Sequence, residues 1–159
     1  MLKNGVIYSG ANDHVDLNRC FPYNVSGGFA QNTGRYQTGP NAMMAREALA
    51  LNDLIQKCKN KSGRKIFIDN HGWLQQIFTN SEPLRSKFRL KFNSGKFANK
   101  NTLEDNAIGF VSRWANVNGY ESCLFEFPVD VAKWGDIKAK GYETKYIDVI
   151  KDIINNMAR

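Results

Sequence analysis

The sequence predicts an α/β fold: a mostly parallel, mixed sheet flanked by helices. Two short apolar runs, Ile66–Ile68 and Cys123–Phe125, have the composition of buried strands, and both stop at ionisable residues. The stretches between and after them repeat apolar residues at helical spacing. The chain has 159 residues, 42% of them apolar and ten of them Phe, enough for one sizeable core.

From the N-terminus, Gly5-Val6-Ile7-Tyr8 reads as a short strand and residues 9–14 as a polar loop. Asp16, Asn18 and Arg19 then follow among apolar Val15 and Leu17, and Pro22 biases Phe21 to an extended backbone. A guanidinium beside an amide suits a planar carboxylate, gripped through two parallel hydrogen bonds. A surface loop with an Asp–Arg pair is the plain alternative. Residues 24–41, rich in Gly, Asn, Thr and Ser, read as a loop. Gly39-Pro40 opens a helix in which Met44, Ala48, Leu51, Ile55 and Cys58 share one face. Glu47 suits its start, Lys57, Lys59 and Lys61 its end, and Gly63 its stop.

The chain is organised around Lys65–Trp73. Its apolar run ends at Asp69, Asn70 and His71, and Gly72 permits a sharp turn. The second run ends in Glu126, Phe127 and Pro128. Ligands of open α/β sheets bind at the carboxyl ends of strands. Two strands that each deliver an ionisable residue there point to a metal-assisted or acid–base site between them. The alternative has Asp69 capping a turn and His71 as a satisfied core histidine.

Ser81-Glu82-Pro83 reads as a helix start. The next stretch is ambiguous: Leu84, Phe88 and Phe92 repeat every four residues, while Phe88, Leu90 and Phe92 alternate with Lys87, Arg89 and Lys91. The start signal favours a helix. This basic-aromatic segment is where a nucleic acid would bind, but a solvated basic face is the expectation, and a nucleic-acid partner is not expected. Leu103–Val117 reads as a helix with Phe110, Trp114 and Val117 on one side, ended by Asn118-Gly119. Residues 133–141 read as a loop. Tyr142–Met157 reads as a last helix, with Tyr146, Ile150, Ile153 and Met157 on its apolar face.

A formal charge of +7 permits anionic partners, nucleic acid or cell-wall polymer, and equally suits an ordinary basic surface. Three widely spaced cysteines with no Cys-x-x-Cys pair argue against a thiolate zinc site or a disulfide framework. No apolar run is long enough to span a membrane and no signal-peptide pattern opens the chain, so no membrane partner is expected and the compartment is left open.

Asp16-Leu17-Asn18-Arg19 resembles the Asp-x-Asn-Arg motif of the zinc metallocarboxypeptidases, the carboxypeptidase A-like peptidases. Ile68-Asp69-Asn70-His71-Gly72 resembles the strand that carries their third zinc ligand, and Leu124-Phe125-Glu126 the strand of the catalytic glutamate. The motifs keep the family's order across residues 15–128, and residues 40–58 resemble the helix between the first two. The resemblance implies a single carboxypeptidase-like domain over 1–159 that hydrolyses the peptide bond at a free C-terminus, with zinc as cofactor. His71 would be a zinc ligand and Glu126 the general base. Asn18 and Arg19 would bind the terminal carboxylate of a peptide or cell-wall peptide. Arg113, in Val111-Ser112-Arg113, would line the side-chain pocket and favour an acidic residue such as glutamate or the diamino acids of bacterial wall peptides. The helix with Phe110, Trp114 and Val117 on its core face offers the opposing reading, Arg113 in solvent.

The family's first two zinc ligands lie in a His-x-x-Glu motif, which this sequence does not contain. The arginine that usually precedes Asp-x-Asn-Arg is absent too, and Phe110 falls near where the family places a tyrosine. The resemblance is therefore to the C-terminal part of the catalytic domain, lacking the N-terminal part with the first ligands. It implies an incomplete zinc site and weak zinc binding by this chain, with His14 a remote substitute. A non-catalytic module that keeps the carboxylate anchor is the alternative.

Overall fold

The computed structural model describes residues 2–3, 6–8, 14–22, 42–43, 45–72, 74–105, 109–128 and 134–157. Along the chain these form β1 (Leu2–Lys3), β2 (Val6–Tyr8), β3 (His14–Val15), a 3-10 turn at Leu17–Arg19, α1 (Arg46–Lys59), β4 (Ile66–Gly72), β5 (Ile77–Thr79), α2 (Glu82–Lys91), 3-10 turns at Gly95–Ala98 and Leu103–Asp105, α3 (Val111–Val117), β6 (Glu121–Phe127), α4 (Trp134–Ala139) and α5 (Tyr142–Asn156). The class is α/β. Two compact units are present, one from residues 1–61 and 106–119, the other from 62–105 and 120–159. No helix among the described residues is long and apolar enough to cross a membrane.

In the first unit β1, β2 and β3 form an antiparallel meander. The expected loop over 24–41, Pro40 and Met44 lie outside the described residues. On α1 the spacing of apolar residues holds: Ala48 and Ile55 are buried, Leu51 and Cys58 half-buried. The helix stops at Lys59, where the Asn60 N–H returns to the Cys58 carbonyl, so Gly63 comes too late to end it. The expected helix over Leu103–Val117 is a correction. A 3-10 turn covers Leu103–Asp105, and the α-helix starts only at Val111. Gly109 sits between them in the left-handed region at φ 81, which a continuous helix cannot contain. Val117 is exposed rather than core. Two side-chain bonds tie α3 to α1: Trp114 Nε1–H to Asn52 Oδ1 at 2.9 Å and Gln56 Nε2–H to Asn118 Oδ1 at 2.8 Å.

The second unit is built on a sheet of order β4-β6-β5. β4 and β6 run parallel, and β5 pairs with β6 antiparallel. The sheet is thus mixed, as expected: the long β4–β6 pairing is parallel, and Ile77–Thr79 adds a short antiparallel strand the periodicity does not reveal. Three residues, all buried, carry no alternation to read.

Strand residues two apart share a face. One face of β4 and β6 carries Ile68, Cys123 and Phe125, and it packs with Ile77 of β5, Leu84 and Phe88 of α2, and Val149 and Ile153 of α5. Phe125 is the hub. Its ring stacks on Phe88 at 4.8 Å and Phe97 at 5.6 Å, with Phe92 at 4.9 Å.

The ambiguous segment after β5 is helical. Phe88 is fully buried while Leu90, two residues on, is 73% exposed, an arrangement no strand alternation allows. Ser81 starts α2 by accepting the Leu84 N–H on its hydroxyl, with Pro83 in the first turn. Lys91 is exposed and pairs with Asp148 at 3.2 Å, Lys87 pairs with Asp152 at 2.9 Å, and Arg85, earlier on α2, is buried. The residues expected as a loop up to Gly141 include a further correction, since Trp134–Ala139 is helix α4, packed against α5. Two glycines in and after a six-residue helix hide it from propensity, and Gly141, at φ 68, separates it from α5.

Candidate functional site

Asn18 and Arg19 belong to the first unit, and its fold orients both. Asp16 caps the 3-10 turn by accepting the Asn18 N–H at 3.0 Å. Asn18 Oδ1 accepts the Val111 N–H at 3.1 Å. This bond fixes which way the amide faces, with Oδ1 as its acceptor side. The Arg19 guanidinium lies 4.4 Å from the Phe110 ring centre and donates from Nη1 to the Asn18 carbonyl at 2.7 Å. A guanidinium held over a ring beside an amide is the residue pair that the sequence offers for a carboxylate.

The segment at 109–111 closes on this turn from the other side. The Gly109 carbonyl accepts the Phe21 N–H at 3.2 Å, and a Cβ at Gly109 would overlap the Arg19 carbonyl. Beneath the turn, Cys20 is fully buried and its thiol donates to the Leu17 carbonyl at 3.2 Å. Burial and the nearby Asp16 carboxylate push that thiol up to about 12. Arg113 lies on α3 in the same unit. It is 2% exposed, which corrects the reading that placed it in solvent.

His71 and Glu126 belong to the second unit and are direct register partners on β4 and β6. Each is the next-to-last residue of its strand. They share the face opposite Phe125, together with Asp69, two residues before His71. His71 Nε2 is 3.0 Å from Asp69 Oδ1. A carboxylate only accepts, so Nε2 is the donor of this pair; in the neutral ring the lone pair is then on Nδ1.

Glu126 is 6% exposed, and its Oε2 has no hydrogen-bond partner among the described residues. Burial pushes its pKa up. The His71 ring and the Leu74 N–H pull it down, and Asp69 adds a further push upward. A carboxyl in this state holds its proton to higher pH when folded than when unfolded. Between its ordinary pKa and the raised one, the folded protein binds more protons, so stability falls as pH rises through that window. Glu126→Gln removes the charge. It is expected to stabilise the protein at neutral pH by on the order of 1 kcal/mol, a gain that vanishes below the window, where the native carboxyl is neutral too. Urea unfolding of both forms at pH 4 and pH 7 checks this.

A metal could take His71 at Nδ1, with Asp69 as the outer carboxylate that orients the ring. A catalytic zinc takes three protein ligands. No group of three or more His, Cys, Asp or Glu side chains converges in that way among the described residues. These residues therefore fit one ligand position and do not amount to a zinc site by themselves. The His14 side chain lies outside the described residues.

The sequence reading passed over Asp69 as the partner of His71, although two-residue spacing on a strand already places them together. It also missed Gly109, Phe110 and Leu74 as supports of Arg19 and Glu126, since long-range packing leaves no local pattern. Comparison of the chain with protein-family models, with curated proteins and with solved structures finds no match.

Proposed function

We propose that this chain carries the downstream part of a zinc carboxypeptidase site, which hydrolyses the last peptide bond of a peptide or cell-wall peptide. The observation that carries the reading is the register pairing of His71 with Glu126: a carboxylate-held imidazole beside a buried carboxylate with an unpartnered oxygen. Glu126 is the general base. It takes a proton from the attacking water and delivers it to the departing amine. Its raised pKa suits both halves of that task, because a carboxylate closer to neutrality returns the proton readily. His71 is the one zinc ligand the described residues offer. Asn18 and Arg19 grip the substrate's terminal carboxylate and restrict cleavage to the chain end. Arg113, buried rather than solvated, favours a C-terminal residue with an acidic side chain.

A second reading, a non-catalytic module that binds peptide C-termini, rests on the anchor alone. Asn18 and Arg19 are built into their own unit by Val111 and Phe110.

Calorimetric titration with a peptide and its C-terminal amide tests the anchor common to both. The free acid is expected to bind at least about tenfold tighter, and Arg19→Lys to lose that margin, since an ammonium keeps the charge but not the fork. Peptides ending in Glu and in Leu read Arg113, whose replacement by Ala is expected to erase a preference for Glu. Equal binding of acid and amide would remove both readings. Hydrolysis by an N-terminally extended protein that supplies the two further zinc ligands separates the enzyme from the binding module.

A further inference from the structure

The sheet of the second unit has two edges, and one of them is closed. Beyond β5, the Thr79 N–H donates to the Asn101 carbonyl at 3.2 Å, and Phe78 bridges to Asn101. β4 forms the other edge, and among the described residues no strand pairs with it on the side away from β6. The Glu121 N–H donates to the Lys65 carbonyl at 2.8 Å, so the backbone groups of Lys65, Phe67 and Asp69 point to β6. Bonding alternates along a strand, so those of Ile66, Ile68 and Asn70 point outward and form a template for a further strand. Short, proline-bearing or bulged edges stay single. β4 is seven residues long, contains no Pro and runs in unbroken register with β6. The helix above this edge is apolar on the same side. α2 packs on β5 and β6, and α5 lies beside it, turning Asp148 and Asp152 to Lys91 and Lys87 of α2. The flank of α5 away from α2 carries Ile147, 43% exposed, and Ile154, 59% exposed, two turns apart.

We propose that a second copy of this chain docks on this edge: two β4 strands pair antiparallel about Phe67, and the two sheets become one. The residues select this register. Hydrogen-bonded partners must both face outward, so Ile66 of one strand bonds Ile68 of the other, and Ile68 bonds Ile66. On the opposite face Phe67 meets Phe67. Lys65 and Asp69 of each strand stand directly across from Asp69 and Lys65 of the other. These are the closely spaced, non-hydrogen-bonded positions, where aromatic pairs and opposite charges stabilise a sheet. Asp69 holds His71 at Oδ1, and a carboxylate accepts from a second donor as well. Moving the centre to Ile68 sets Phe67 against Asp69 and Lys65 against His71, and moving it to Asp69 sets like charges together. The twofold axis stands perpendicular to the sheet, so the α5 helices of both copies share one face, with their Ile147–Ile154 flanks side by side. This contact does not depend on the carboxypeptidase reading.

Sedimentation velocity of the 159-residue chain from about 1 μM to about 1 mM reads the dimer, and amide exchange by NMR reads the edge. The mass is expected to double with concentration, and the Ile66 and Ile68 amides to gain protection as it does. Lys65→Glu makes the face wholly acidic and Asp69→Lys makes it wholly basic. Each is expected to weaken the dimer by at least about tenfold, and an equimolar mixture to recover it as a heterodimer. Phe67→Cys, in a Cys58→Ser background that removes the half-buried native thiol, is expected to form an intermolecular disulfide under mild oxidation. Ile66→Cys is not, because position 66 faces position 68 of the second copy. A monomer at every concentration overturns the proposal. So does a dimer that the charge variants leave unchanged or the mixture fails to restore, which would place the contact elsewhere. Equal crosslinking at positions 66 and 67, or none at 67, overturns it through the register. Ile66 and Ile68 amides already protected in the monomer would show the edge covered from within the chain, and would overturn it too. Should Asp69→Lys fail to fold, Lys65→Glu and the Phe67→Cys crosslink decide.

Discussion

Gly109→Ala is expected to cost about 3 kcal/mol of stability and to abolish the proposed preference for a free peptide carboxylate. Two terms add. A non-glycine residue in the left-handed region loses about 1–2 kcal/mol, and Gly109 sits there at φ 81. The new Cβ would also overlap the Arg19 carbonyl, which is backbone and cannot swing aside. Overpacking of this kind costs about 1–3 kcal/mol. The strain is delivered where the Asn18–Arg19 turn meets Phe110 and Val111, so stability and the proposed carboxylate recognition are expected to fall together. Gly109→Asn separates the terms, because Asn tolerates the backbone but still carries a Cβ. It is expected to recover only the smaller share. Urea denaturation and the peptide titration are the measurements, and a Gly109→Ala protein within 0.5 kcal/mol of wild type, on the scale of an ordinary surface substitution, would contradict the account.

Arg85→Met is expected to cost a comparable amount, about 3 kcal/mol, through orphaned carbonyls rather than strain. Arg85 is 4% exposed on α2 and acts as a buried multi-carbonyl staple. It donates to the carbonyls of Thr79 and, at 2.9 Å, Asn101, and its Nε lies 3.1 Å from Glu82 Oε2. Met fills the volume but leaves those acceptors dry. β5 should loosen first, since Arg85 reaches its last carbonyl and the Thr79 N–H already depends on Asn101. Arg85→Lys should fall between, as one ammonium cannot serve carbonyls on two segments. A loss below about 1 kcal/mol for Arg85→Met would mean that water reaches these carbonyls.

What the sequence made legible, and what it hid, follows from the range of each interaction. β4, β6, α2 and α5 announce themselves through local signals: apolar runs, a Ser cap with Pro in the first turn, four-residue spacing. The placement of His71 and Glu126 at strand ends follows from where those runs stop. β5 stayed hidden because three buried residues have no period, and α4 because its stability comes from packing on α5. The break at Gly109 was invisible for a related reason. A glycine inside a helical pattern reads as a weak spot, and only the approach of Arg19, ninety residues upstream, makes it a hinge in the backbone path. Arg113 reads as a surface residue by type, and its burial is a tertiary fact.

The cysteines set how the protein can be labelled. Cys20 is fully buried with its thiol pushed up to about 12, so it stays a thiol at neutral pH. Cys123 is equally buried and is also pushed up by burial. Neither will meet maleimide or iodoacetamide while the protein stays folded. Cys58, half-buried on α1, is the thiol those reagents will find. A fluorophore or spin label can therefore be placed on α1 of the unaltered sequence, and the sudden appearance of a second or third modified thiol reports unfolding of the two shielded sites.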